Sequence, residues 1–193
     1  LGDLGKQLKP VWGDIAEPAV IGNAKARAAL VGKIDHVFHL AAIYDMNMDD
    51  EVADSVPLLT MATPHIGHFQ IRTRGTLGGA IAHADPAAEY AAVALALDAD
   101  MEAHSSRGAR TIPAAEFFTG LWETSLASDE ILTAVRFPVW DGRSGFAVHE
   151  FARRHGDFAI AGAVAAVQVD ADDRVSRCGV GLLGLGSTPL RGT

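Results

Sequence analysis

The sequence predicts an α+β fold for residues 51–193, preceded by an incomplete Rossmann-like α/β unit in residues 1–50. Helical patterns lie between residues 52 and 98, whereas the remainder is a series of short extended segments separated by turn residues. Around residues 44–51 the composition becomes acidic and polar, as expected between two domains. We therefore place a domain boundary near residue 50.

The elements of the larger part follow from apolar spacing and turn residues. One helix is predicted from Val52, interrupted by Pro57, and another from Pro86 to about Asp98. Residues 114–120 favour a short helix, in which Phe117 and Phe118 are expected to be core anchors. The predicted strands cover residues 100–103, 110–112, 131–137, 146–153, 159–169 and 175–183, and the last two are expected to form a meander.

Composition excludes several classes of function. The net charge is −8, from 16 basic and 24 acidic side chains, without a basic run, which argues against nucleic acid or an anionic membrane as partner. No stretch resembles a membrane span or a signal peptide, so a cytoplasmic protein is expected. The single cysteine, Cys178, excludes an internal disulfide and a self-contained iron–sulfur site. The histidine pairs lack a third ligand at a fixed spacing, so no metal site is predicted.

Two motifs of residues 1–50 resemble the middle of an extended short-chain dehydrogenase/reductase. They are Val11-Trp12-Gly13-Asp14 and residues 35–42, which lie in an apolar strand predicted over residues 34–42. The Gly-rich phosphate turn and the Tyr-x-x-x-Lys pair of that family are both absent, so we expect a structural fragment that does not bind NAD(P)H. An NAD(P)-dependent reductase fragment and a chimeric, non-functional fragment remain alternative interpretations of the chain.

The motif that organises the larger part is Thr76-Leu77-Gly78-Gly79, followed by Asp85-Pro86. Glycines without a Cβ let backbone N–H groups approach an anion, and they make a positive φ available. A phosphate would suit such a turn. Asp85-Pro86 is predicted to open the next helix, since proline suits a first helical turn.

The sequence from residue 65 to residue 89 is a more specific family signature than the two glycines alone. Residues 65–72, Thr76-Leu77-Gly78-Gly79 and residues 82–89 together resemble the FAD-binding medium subunit of molybdenum hydroxylases, with the closest likeness to the aerobic carbon monoxide dehydrogenase type. The resemblance covers about residues 52–193. It implies a partial FAD-binding domain of the vanillyl-alcohol-oxidase type. It also implies an electron-transfer role beside a molybdenum-containing large subunit and an iron–sulfur small subunit.

The resemblance also implies the cofactor site. Asp85 and Glu89 would lie beside the ribose and the flavin side chain, Leu132 would pack on the flavin, and no catalytic residue is required. Glu89 stands where Asp is common, and Ala80 where Asn or Asp is frequent. Arg153 and Arg154 are either solvated charges or contacts to a phosphate or partner. The FAD pyrophosphate would be wrapped by Thr76, Leu77, Gly78, Gly79 and Ala80.

Two parts of the complete medium subunit are not recognised in this sequence. They are the N-terminal phosphate loop, which forms the second half of the cradle, and the C-terminal subdomain. With only one of the two phosphate-binding loops, much of the FAD would remain exposed to water. The chain is therefore expected to hold FAD weakly or not at all.

Overall fold

The computed structural model describes residues 54–192, so the predicted Rossmann-like fragment and the boundary near residue 50 lie outside the described residues. The described part contains short helices and antiparallel strands, which confirms the predicted α+β fold. Its helices are α1 (Pro57–Ala62), α2 (Phe69–Arg72), α3 (Leu77–His83), α4 (Glu89–Ala96) and α5 (Ala114–Phe117), with a 3₁₀ turn at Thr63–His65.

The strands form three antiparallel sheets within residues 54–192. Their orders are β2-β1-β5, β3-β4 and β6-β7-β8-β9. The strands are β1 (Asp100–Ser105), β2 (Gly108–Pro113), β3 (Phe118–Gly120), β4 (Glu123–Thr124), β5 (Ile131–Arg136), β6 (Ser144–Phe151), β7 (Ala161–Val169), β8 (Val175–Leu183) and β9 (Leu190–Gly192). The predicted meander is confirmed by β7 and β8, which pair with Val164 opposite Gly181.

Helix α4 lies at the centre of the core, because all eight of its residues are buried. It packs on β7, β8 and β9 and also contacts α1 and α3. Small residues on both sides permit the close contact. A Cβ on Gly179 would lie 1.8 Å from the Ala96 carbonyl oxygen, and one on Gly181 would lie 2.0 Å from that of Ala92. Only glycine at these two positions of β8 allows the helix to approach so closely.

The predicted elements differ from the structure mainly at their ends. The helix predicted from Pro86 begins instead at Glu89, because the Asp85 side chain accepts a hydrogen bond from the Ala87 N–H at 2.8 Å and makes a turn there. The helix in residues 114–120 is shorter than predicted and ends at Phe117, which is fully buried as expected. The sequence reading missed β3, β4 and β9, which are too short to show a period of two.

Candidate cofactor-binding site

The Gly-Gly motif forms the first turn of helix α3. Thr76 is the N-cap, and its Oγ1 accepts a hydrogen bond from the Gly79 N–H at 2.8 Å. Gly78 and Gly79 do not use the positive φ that glycine makes available: both have helical backbone, and neither is among the positive-φ glycines. A Cβ added to Gly78 would meet nothing within 4 Å. The start of α3 therefore borders open space.

The far end of α3 turns sharply at Ala84, which has a left-handed backbone with φ 54°. The turn places the Asp85 side chain, 15% exposed, between two donors. One oxygen, Oδ1, binds the Ala87 N–H, and the other, Oδ2, accepts a hydrogen bond from Trp122 Nε1 at 3.1 Å. Each carboxylate oxygen has two acceptor sites, so Asp85 keeps the capacity to accept a ligand hydroxyl.

Glu89, the first residue of α4, faces another carboxyl group. It is 9% exposed and shares a hydrogen bond with Glu150 of β6, whose side chain is 5% exposed. Burial raises the pKa of Glu89 to about 7, and the nearby Glu150 and Asp85 add to the increase against an opposing backbone hydrogen bond. Burial also raises the pKa of Glu150, and the electrostatic interaction with His65 partly offsets this increase. The pair therefore gains a proton as the pH falls through about 7, and Glu89 is the residue that takes it up.

The remaining predicted cofactor residues lie on α3 and on the strand beside it. Leu77, Ala80 and Leu132 are half-buried and pack against the core. Helix α3 packs on β5, the strand that carries Leu132. The fold thus brings the Thr76–Ala80 segment and Leu132 onto neighbouring elements. Arg153 and Arg154 are exposed on the segment after β6.

Two further side chains near this segment were not singled out by the sequence analysis. Trp122 bonds to Asp85, and Glu150 bonds to Glu89, across 37 and 61 positions of the chain respectively. No short motif links residues at such separations, so only the fold reveals them. The described residues contain no group of three or more His, Cys, Asp or Glu side chains arranged to hold a metal ion. None of the helices between residues 54 and 192 has the length and apolar character needed to cross a membrane.

Comparison with known proteins identifies a class of flavin-binding domains. Residues 38–140 match the family described as the FAD binding domain in molybdopterin dehydrogenase. The chain belongs to this family. The predicted resemblance, the fold class and FAD as the family's cofactor are thereby confirmed, and the reductase alternative is not favoured.

Relatives and solved structures agree with this assignment. The chain is 44% identical over 140 residues to the 6-hydroxypseudooxynicotine dehydrogenase complex subunit alpha of Paenarthrobacter nicotinovorans, covering 72% of this chain and 47% of the relative. It is 41% identical over 178 residues to the nicotine 6-hydroxylase medium subunit of the same organism, covering 89% and 62%. A carbon monoxide dehydrogenase structure from Hydrogenophaga pseudoflava superposes with a TM-score of 0.70 and 34% identity, covering 72% of this chain and 48% of that one. The chain thus spans about half the length of most of the curated relatives it matches.

The geometry of this segment fits FAD. Open space beside Gly78 lets a ligand reach the backbone at the start of α3. The first N–H groups of a helix have no intrahelical acceptor, and in α3 the Thr76 side chain accepts the bond of one of them, Gly79. At the other end of the helix, Asp85 offers a fixed carboxylate for a hydroxyl group. The open backbone suits the phosphates of the cofactor, and the carboxylate suits a hydroxyl of its ribose or ribityl chain.

Proposed function

We propose that this chain is the FAD-binding part of the medium subunit of a molybdenum hydroxylase, an oxidoreductase complex. The match of residues 38–140 to the family of FAD-binding domains carries the proposal. The bound flavin would supply the redox chemistry, passing electrons from iron–sulfur clusters to an external acceptor. The proposed partners are a molybdenum-containing large subunit and an iron–sulfur small subunit, and the proposed location is the cytoplasm.

The roles of the site residues are part of this proposal. The segment from Thr76 to Ala80 would hold the pyrophosphate through the backbone N–H groups at the start of α3, ahead of Gly79 and Ala80, whose own N–H groups both donate to Thr76 and fix the first turn. Asp85 would accept a hydrogen bond from a hydroxyl of the cofactor. Glu89, half-protonated near pH 7, would lie beside the ribose or the flavin side chain and hydrogen-bond to a hydroxyl there, and Leu132 would supply an apolar contact to the flavin.

Of the two outcomes expected from the sequence, weak binding of FAD and no binding, the proposed function requires weak binding, with a Kd in the micromolar range, about −8 kcal/mol, because only one phosphate-binding segment is recognised in the sequence. Equilibrium dialysis of the purified chain against FAD measures this affinity directly. NADH is expected not to compete with FAD. An absence of FAD binding up to about 1 mM, or displacement of FAD by equimolar NADH, would contradict the proposed function.

Replacing Gly78 with valine is expected to weaken FAD binding at least about tenfold, equivalent to about 1.4 kcal/mol. The added Cβ would lie in the open space through which the ligand reaches the backbone, where it meets nothing within 4 Å. Valine and glycine differ little in helix propensity, so the free energy of unfolding should stay within about 0.5 kcal/mol.

The matched control for this variant is Gly145→Val on β6, where an added Cβ also meets nothing within 4 Å. Gly145 lies outside the proposed binding segment, so FAD affinity should match that of the parent chain. Equal FAD affinity in Gly78→Val and the parent would remove Gly78 from the site.

A further inference from the structure

Trp122 is an exposed aromatic residue held in a strained backbone conformation. It lies in the tight connection between β3 and β4, where it has φ 56° and is 61% exposed. A positive φ is uncommon outside glycine and is a true outlier for a bulky side chain. Strain of this kind persists where the surrounding structure fixes it, and it concentrates at ligand-binding positions. Neither burial nor turn chemistry explains a tryptophan here.

The side chain of Trp122 is nevertheless fixed. Its Nε1 donates to Asp85 Oδ2 at 3.1 Å, which satisfies the only polar group of the indole. Its ring stacks beside His83, with centroids 6.3 Å apart and planes inclined by 21°. His83 is the last residue of α3, so the indole lies across the end of the helix that begins at the Gly78 opening. An oriented indole with much of its surface in solvent remains available to a planar ligand.

Spacing along α3 relates the indole to the proposed phosphate position. Seven residues at 1.5 Å each separate the start of the helix from its end by about 10 Å. In FAD, the pyrophosphate is joined to an aromatic ring system at either end through a ribose or a ribityl chain. A cofactor with its phosphates near Gly78 and a hydroxyl near Asp85 would therefore extend a ring towards Trp122.

We propose that Trp122 is a further FAD-positioning residue, which stacks on an aromatic ring of the cofactor while its N–H bond to Asp85 fixes the ring plane. This inference rests on the proposed function. It extends the site to a hairpin that the family resemblance did not indicate. Stacking requires the indole face, whereas the bond to Asp85 requires only the indole N–H, so the two contributions are separable by substitution.

The first test compares FAD affinities by equilibrium dialysis for the full chain and its Trp122→Ala, Trp122→Phe and Leu121→Ala variants. Trp122→Ala is expected to raise the Kd about 5–10-fold, within the range of an aromatic contact. Trp122→Phe, which keeps a ring but loses the N–H, should retain most of the affinity. Leu121 is the exposed neighbour, and its truncation should leave the Kd within about twofold.

The second test uses tryptophan fluorescence. Of the three tryptophans, Trp140 is buried and serves as the control, while Trp12 lies outside the described residues. FAD is expected to quench the parent chain and Trp140→Phe, with most of the quenching lost in Trp122→Phe. Parallel titrations with ADP and with FMN identify the ring, because only the ligand carrying the stacked ring should quench Trp122.

The outcomes separate the two proposals. FAD binding by the parent with an unchanged Kd in Trp122→Ala, or undiminished quenching in Trp122→Phe, would overturn the role of Trp122 and leave the proposed function intact. Equal losses of affinity in Trp122→Phe and Trp122→Ala would also overturn the stacking. Absence of FAD binding by the parent chain would overturn both.

Discussion

Replacing Gly181 with alanine is expected to destabilise the chain by at least about 3 kcal/mol, at the upper end of what overpacking costs. The new Cβ would lie 2.0 Å from the carbonyl oxygen of Ala92 and 2.7 Å from its carbon, and both are backbone atoms of α4. A flexible side chain could move aside, but a buried helix cannot move without separating from β7, β8 and β9. Urea denaturation of the variant and its parent measures the loss.

The same contact recurs one turn along the helix. Gly179→Ala would place a Cβ 1.8 Å from the Ala96 carbonyl oxygen, so the double variant is expected not to fold, given a typical stability of about 5–15 kcal/mol. Gly145→Ala on β6 is the matched control, because its Cβ would meet nothing within 4 Å, and it should change stability by less than about 0.5 kcal/mol. A Gly181→Ala variant as stable as Gly145→Ala would mean that α4 does not lie against β8 as described.

Replacing Glu89 with glutamine is expected to stabilise the chain by about 2–3 kcal/mol at pH 8 and by less than about 1 kcal/mol at pH 5. Burial and the neighbouring Glu150 favour the protonated form, which the neutral amide imitates. The pKa of Glu89 rises from an ordinary value of 4.5 to about 7. This difference in pKa corresponds to about 3–4 kcal/mol, at about 1.4 kcal/mol per pKa unit, once Glu89 is fully ionised in the folded chain.

The sign follows from proton binding. Between pH 4.5 and 7 the folded chain holds a proton on Glu89 that the unfolded chain has lost, so the free energy of unfolding falls as the pH rises. The contribution is fully present below pH 4.5 and is lost above about pH 7. Because glutamine does not titrate, this part of the slope should be missing in the variant.

Urea denaturation at four pH values from 5 to 8 measures the effect. Glu116→Gln is the control, because Glu116 is exposed on α5 and its replacement should keep the pH dependence of the parent. Parallel stability curves for Glu89→Gln and the parent would show that Glu89 is not the group that holds the proton.

The main features of the fold were predictable from local patterns. The long strands β6, β7 and β8 have clear turn residues between them, and the meander follows from that spacing. The family was predictable because the string from residue 65 to residue 89 is specific. The start of α4 was not predictable, because Asp85 and Pro86 can equally open a helix or make a turn that precedes one.

The sequence by itself determined the α+β class, the family and its cofactor, because these depend on periodicity and on motifs that are contiguous in the chain. Only the tertiary structure decided that Gly78 and Gly79 are helical, that Glu89 shares a proton with Glu150, and that Trp122 bonds to Asp85. The physical reason is that the last two depend on groups far apart in the sequence. The first depends on the Thr76 cap, which favours a helical first turn over a tight Gly-Gly turn. Burial and pKa arise from the whole surrounding core, which no local pattern encodes.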